Sequence, residues 1–401
     1  MEPQWRSHTT LDDATKTFEF SAAHKSYNQQ FDNVYSARLE QLRPVLIERA
    51  ADTWRKRKGI HILLTSSRYF LTRLFRPYLR VVNKVAHVPR VLDVVKGQTC
   101  YIIGTVYMDM PLKANVLEDI AQDHALAAIP ARTKRTSESD SVVLEDESGR
   151  VALTGDILAK ENLVTGVTVA VLGFEGPAAA FEVQEIVYPG LAPPSLIPNS
   201  SPNEPSCCAF LSGLHFGDLG FGMPVNLNGE KGGKTDSSVA LSLFLDWLSG
   251  EGGSEHDRAL AQRVSRVVIA GNSLTAPPVE DERDSSRVSV SASTSMRQAV
   301  ESLSDTLQEI ARTVPSDPTG AALPQQPMPG WIFRLDASEG SDAISMESNP
   351  TWIHSSGRSI LVHSGQPIDD IYLHTVETDR MVMACNTLKW RHIAPTAPDT
   401  L

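Results

Sequence analysis

The feature that most constrains the fold is a change in hydrophobic period near residue 98. Before it, apolar residues between Ser26 and Trp54 recur every three or four positions, which predicts an amphipathic helix with a break or kink at Pro44. After it, short β-branched runs separated by glycines predict five strands, and the five-stranded OB-fold β-barrel is the architecture that they favour. The predicted elements are Cys100–Tyr107, two strands within Asp140–Gly155, Thr168–Gly173, Phe181–Tyr188 and a helix at Val116–Leu126.

A different pattern begins at Cys207. Six prolines between Pro189 and Pro205 are typical of a linker, which we place at 190–206. Beyond the linker, strands alternate with helices, and this alternation predicts an α/β domain. The predicted strands are Cys208–Ser212, Val264–Ala270, Ile360–Val362 and Met381–Ala384, the predicted helices are Val239–Ser249 and Met296–Val314, and Thr275–Ser289 is predicted to be a polar loop.

Charge is distributed unevenly along the chain. The formal net charge of −11 argues against a general nucleic-acid-binding protein. Between Ala51 and Lys96, however, eleven Lys and Arg face two Asp, a local charge of +9. This basic stretch could be a nuclear localisation patch, a basic amphipathic surface, or an insertion without a structural role. No run of 18 apolar residues occurs, so no membrane span is predicted.

The candidate chemical site lies where two predicted strands end, because ligands of α/β domains bind beyond the carboxyl ends of strands. These ends are Leu211–His215 and Ala270–Leu274. A two-metal phosphoesterase needs carboxylates there to hold two divalent cations. The chain has Gly213 and Asn272 at the required positions, and His215 alone cannot assemble such a site. None of the four cysteines forms a C-x-x-C pair, so the cysteines predict no zinc site. Together with Gly213 and Asn272, this spacing leads us to predict no catalytic residue, no metal and no cofactor.

Several segments resemble, in order, those of the second (B) subunits of replicative DNA polymerases, that of polymerase delta in particular. The segments that carry this resemblance are Tyr27–Leu39 with Leu42–Pro44, Val142–Glu147, Leu163–Gly166, Val264–Asn272, Asp317–Pro318, Leu323–Pro327, Asn349–Pro350, Ser364–Gln366 with Asp370–Ile371, and Arg391–Leu401. The segments ending at Pro327 and Leu401 are the most specific.

The resemblance implies an α+β multidomain protein. Its OB-fold is joined to a calcineurin-like, metallophosphoesterase-like α/β sandwich domain that is catalytically dead in eukaryotes and similar to an archaeal nuclease subunit. Asp317 resembles the remnant of a third metal motif, beside Gly213, His215 and Asn272. The implied partners are the cysteine-rich C-terminal domain of the polymerase delta catalytic subunit, the third polymerase delta subunit and the polymerase zeta catalytic subunit. DNA would be reached only through the complex, in the nucleus.

Two departures from the family pattern affect the expected domain boundaries. The family has no match for about residues 59–83, the centre of the basic stretch, which a retained intron or a lineage-specific loop would explain. The family also continues past Leu401, so the second domain is expected to be C-terminally incomplete, with an open sheet edge. The expected organisation is a flexible N-terminus at 1–25, a helix and OB-fold domain at 26–189 with a basic insertion at about 55–83, the 190–206 linker, and an inactive phosphodiesterase-like domain at 207–401.

Three functional hypotheses follow from these patterns. The first is a non-catalytic scaffold subunit of the polymerase, used in DNA replication and repair. The second is a working metal-dependent phosphoesterase, which needs ligands that replace aspartates at 213 and 272. The third is a single-strand-binding OB module, which needs a basic groove with stacking aromatic residues. Tyr101 and Tyr107 lie on the first predicted strand, but Val151–Asp156 carries no aromatic residue and Glu145–Glu147 would repel phosphate.

Overall fold

The structure is a computed structural model that describes residues 32–66, 85–113, 133–193, 207–216, 237–274, 285–314, 332–336, 344–355 and 358–399. Contacts divide this part of the chain into two compact units. We call residues 32–193 together with 366–399 the N-terminal unit, and residues 207–365 the central unit. Several predictions lie outside the described residues: the flexible 1–25 segment, the Val116–Leu126 helix, the linker beyond Pro193, most of the basic stretch, and Asp317.

Six strands form the sheet of the N-terminal unit: β1 (Ala86–His87), β2 (Cys100–Asp109), β3 (Ser141–Asp146), β4 (Gly149–Thr154), β5 (Thr168–Glu175) and β6 (Phe181–Val187). Their order is β1-β2-β3-β4-β6-β5, and β5 also pairs with β2. Strands β2 to β6 therefore each have at least two hydrogen-bonded neighbours, a connectivity that agrees with the predicted OB-fold. All five strands predicted from the period of two are confirmed.

Strand β2 is buried on both faces. Ile102 belongs to a core cluster with Val169, Val171 and Phe181. Tyr101 and Ile103, which point to the other face, pack in a second cluster with the first helix. Two-sided burial explains why β2 is a continuous apolar run, whereas β6, with exposed Glu182 and Gln184, alternates.

The first helix, α1 (Asp32–Ser66), continues through Pro44, so the predicted break does not occur. A proline inside a helix costs about 3 kcal/mol, since it removes a backbone hydrogen bond and crowds the preceding turn. Leu39 lies before Pro44 and Leu46 after it, and both are buried in the same cluster as Tyr101. Burial of each such side chain contributes about 1.5–3 kcal/mol, so packing on both sides of Pro44 outweighs the cost.

Two helices near the end of the chain also belong to the N-terminal unit: α5 (Gln366–Leu373) and α6 (Arg380–Trp390), numbered after the three helices of the central unit. The prediction of a strand at Met381–Ala384 is wrong. Asp379 caps α6 by accepting a hydrogen bond from the Met381 N–H, and Met383 and Trp390 are buried, which is a helical spacing. Contacts group residues 366–399 with the OB-fold strands.

The central unit has a four-stranded sheet of order β10-β9-β8-β7 and a separate β11–β12 pair. Only β7 and β8 run parallel. The elements are β7 (Cys207–Leu211), α2 (Ser237–Ser249), α3 (Glu255–Gln262), β8 (Val264–Ala270), α4 (Ser285–Thr313), β9 (Ile332–Asp336), β10 (Ile344–Glu347), β11 (Thr351–Ser355) and β12 (Arg358–Val362). Helix α4 buries its predicted apolar face against the sheet core. It begins at Ser285, inside the segment predicted to be a loop.

The alternation in the central unit confirms the prediction of mixed α and β structure there. The predicted strands at 208–212, 264–270 and 360–362 and the helices at 239–249 and 296–314 all appear, with bounds shifted by a few residues or extended. Among the described helices, none has the length and apolar character that crossing a membrane requires.

Candidate functional site

The predicted remnant residues lie together at the carboxyl edge of β7 and β8. The Gly213 N–H donates to the Gly271 carbonyl at 3.4 Å, and the His215 N–H donates to the Asn272 carbonyl at 3.0 Å. The Phe216 N–H extends this pairing to the Ser273 carbonyl, also at 3.0 Å. Three of the four predicted positions, 213, 215 and 272, are therefore brought together by parallel strands. The fourth, Asp317, lies outside the described residues.

This edge has an unusual backbone. Gly213 has φ +77°, and two non-glycine residues, His215 and Asn272, have φ of 49° and 51°. Left-handed backbone is costly for residues with a Cβ atom, and it persists where surrounding structure enforces it. A Cβ atom at position 213 would lie 3.4 Å from His215 Nε2, so the imidazole lies beside the position where a side chain at 213 would project.

A third segment approaches the same edge. A Cβ atom at Gly271 would lie 2.3 Å from the Ser364 carbonyl oxygen, a distance that only glycine permits. Ser364 is held by Asn349, whose Oδ1 accepts from the Ser364 N–H at 3.1 Å. Burial lowers the pKa of the adjacent His363, whose Nδ1 accepts from the Gly365 N–H at 3.1 Å. Sequence reasoning missed His363, although its position directly after β12 was a signal.

The described side chains at this edge include no carboxylate at positions 213 and 272. Gly213 has no side chain, Asn272 offers an amide, and the histidines offer imidazoles. Across the described ranges, no three His, Cys, Asp or Glu side chains are grouped as metal ligands. Two divalent cations need anionic ligands, which the placed residues at this edge do not supply.

The OB-fold face that could stack nucleic-acid bases is covered by α1. The Tyr101 ring is buried between Trp54 and His87, with both ring centroids 4.9 Å away. Trp54 Nε1 in turn donates to Glu185 at 3.0 Å. Tyr107 is half-buried, and Arg150 lies 5.5 Å from its ring centroid. Tyr101 is consequently unavailable as a stacking platform in this conformation.

Several polar contacts of the N-terminal unit join residues 366–399 to segments that flank the OB-fold strands, and we call this region the seam. The Lys134 ammonium donates to three carbonyls, those of Tyr372 at 2.7 Å, Thr375 at 3.0 Å and Glu377 at 2.6 Å. The Arg391 guanidinium donates to three more, those of Pro189, Gly190 and Leu191. Each cation therefore binds backbone from a distant part of the sequence.

Two segments singled out in the sequence meet at the seam. A Cβ atom at Gly166 would lie 1.8 Å from the Pro395 carbonyl oxygen, and Gly166 has φ +90°. The same carbonyl accepts from Arg38 at 3.3 Å. Nearby, burial and the Arg38 charge lower the pKa of His392 to about 4. The Leu163–Gly166 and Arg391–Leu401 segments are thus in direct contact.

Comparisons with known proteins agree with this geometry. A family model of the DNA polymerase delta subunit OB-fold domain matches residues 30–186, and a family model of the DNA polymerase alpha/epsilon B subunit matches residues 230–401. The DNA polymerase delta small subunit of Oryza sativa is 29% identical over 94% of this chain and 78% of its own length. That of Arabidopsis thaliana is 29% identical over 93% and 75%, and that of Saccharomyces cerevisiae is 26% identical over 96% and 77%.

The two family models occupy consecutive parts of the chain, in the order in which the OB-fold unit and the mixed α/β elements occur. The relatives align along more than nine-tenths of the chain, across both units. The chain belongs to the B-subunit family of replicative DNA polymerases, as a relative of the polymerase delta small subunits.

Proposed function

We propose that the chain is a non-catalytic scaffold subunit of DNA polymerase delta. It joins the C-terminal domain of the catalytic subunit to the third subunit of the complex. The observation that supports this proposal is the β7–β8 edge, which has the backbone of a ligand-binding edge but carries Gly213 and Asn272 where carboxylates are needed. A phosphoesterase-like domain with that edge can serve as a rigid surface without metal chemistry.

The charge of the chain supports the same role. A formal net charge of −11 disfavours direct binding to the DNA backbone, which attracts basic surfaces. The buried Tyr101 ring also disfavours base stacking on β2. In this proposal DNA is bound by the catalytic subunit, in the nucleus, and the chain contributes surfaces for other proteins. The catalytic subunit docks across the OB-fold and phosphoesterase-like domains, the third subunit docks mainly on the latter, and the polymerase zeta catalytic subunit is a further partner.

Co-expression tests the scaffold role. The full chain is co-expressed with the cysteine-rich C-terminal domain of the catalytic subunit and with the third subunit, each carrying a different affinity tag. We expect the three proteins to purify together, and we expect the two partners to separate when the chain is left out. Failure of a folded full-length chain to retain the catalytic domain would contradict the proposal.

An activity assay tests the non-catalytic part separately. The purified chain is incubated with Mn²⁺ and bis(4-nitrophenyl) phosphate, a generic phosphodiester. We expect no hydrolysis above background. Hydrolysis that His215→Ala removes, and that His256→Ala at an exposed position of α3 leaves intact, would show instead that the β7–β8 edge is a working metal site.

A further inference from the structure

We draw no further inference here: the strongest candidate, the exposed apolar face of α6 that Met381, Cys385 and Leu388 form in the N-terminal unit, carries no proposal because nothing in the described part of the chain shows what covers it.

Discussion

The seam and the β7–β8 edge share one backbone feature but differ in the charged side chains that they contain. In both, a left-handed glycine lets a distant carbonyl approach: Gly166 faces Pro395 in the seam, and Gly271 faces Ser364 at the edge. The seam adds half-buried cations, of which Lys134 donates to three carbonyls. Among the described residues of the edge, Gly213 and Asn272 carry no carboxylate. Close backbone approach is therefore common to both regions, whereas the described cations that bind several backbone carbonyls lie in the seam.

The largest effect is expected at the closest approach in the seam. Gly166→Ala places a Cβ atom 1.8 Å from the Pro395 oxygen, at φ +90°. The backbone must move, and the free energy of unfolding should fall by about 3 kcal/mol or more, the sum of strain and overpacking. Thermal and urea denaturation of the full chain measure this change.

The matched control for that substitution is Gly97→Ala. Gly97 has φ +75° but nothing within 4 Å of its Cβ position, so only the conformational cost of about 1 kcal/mol applies. Equal destabilisation by the two variants would show that the close approach of the Pro395 carbonyl does not contribute to stability. The proposed similarity between the seam and the edge would then be wrong.

The next effect is pH dependence in the seam. The pKa of His392 is about 4 in the folded chain, below the usual value near 6.5, because of burial and Arg38. Between these values the unfolded chain binds the proton and the folded chain does not. Stability is therefore complete above about pH 6.5 and is lost as pH falls towards 4, by up to about 3 kcal/mol.

His392→Asn should flatten this pH dependence, and urea denaturation from pH 7 to pH 4.5 measures the slope. An asparagine oxygen can still accept from the Ala394 N–H, as Nδ1 does at 3.1 Å. His363 contributes with the same sign, so part of the slope should remain. His256→Asn, at an exposed position, is the control. An unchanged slope in His392→Asn would contradict the assignment.

A third effect tests the cations of the seam. Lys134→Met keeps the length of the side chain but leaves three carbonyls without their donor. We expect a loss of about 1 kcal/mol and earlier proteolytic cleavage near residues 372–377, since these partly buried acceptors lose their donor. Lys160→Met, which removes an exposed lysine, should change neither quantity. Identical digestion patterns for the two variants would argue that water replaces the Lys134 ammonium without cost.

The sequence predicts the elements that depend on local residue patterns, and it does not predict those that depend on contacts between distant segments. Strands β2 to β6 follow from local alternation and β-branched content, so they were predictable, as were β8 and α4. Helix α6 was not, because the four-residue run Met381–Ala384 has no resolvable period and the Asp379 cap was overlooked. The continuation of α1 through Pro44 depends on tertiary packing.

The candidate site likewise has features that the sequence predicts and features that it does not. Gly213, His215 and Asn272 were found because they follow strands, and parallel strand ends meet at one edge. Their left-handed backbone could not be predicted for His215 or Asn272, whose residue types usually adopt other conformations. The Lys134 and Arg391 contacts span about 200 residues or more, and no local pattern reports them.

The smallest effect is expected at the β7–β8 edge. It tests whether the left-handed backbone of Asn272 has a structural role. Asn272→Gly removes the cost of a Cβ atom at φ 51°, and Ala179→Gly does the same at φ 57° in the turn before β6. Asparagine tolerates this conformation better than alanine, so the gains should be a few tenths of a kcal/mol for Asn272→Gly and about 1 kcal/mol for Ala179→Gly. If Asn272→Gly instead destabilises the chain, its amide forms a contact that the edge needs, and the neutral residue has acquired a structural role. A gain in stability without loss of the three-protein complex would show the opposite, that the position is a tolerated remnant.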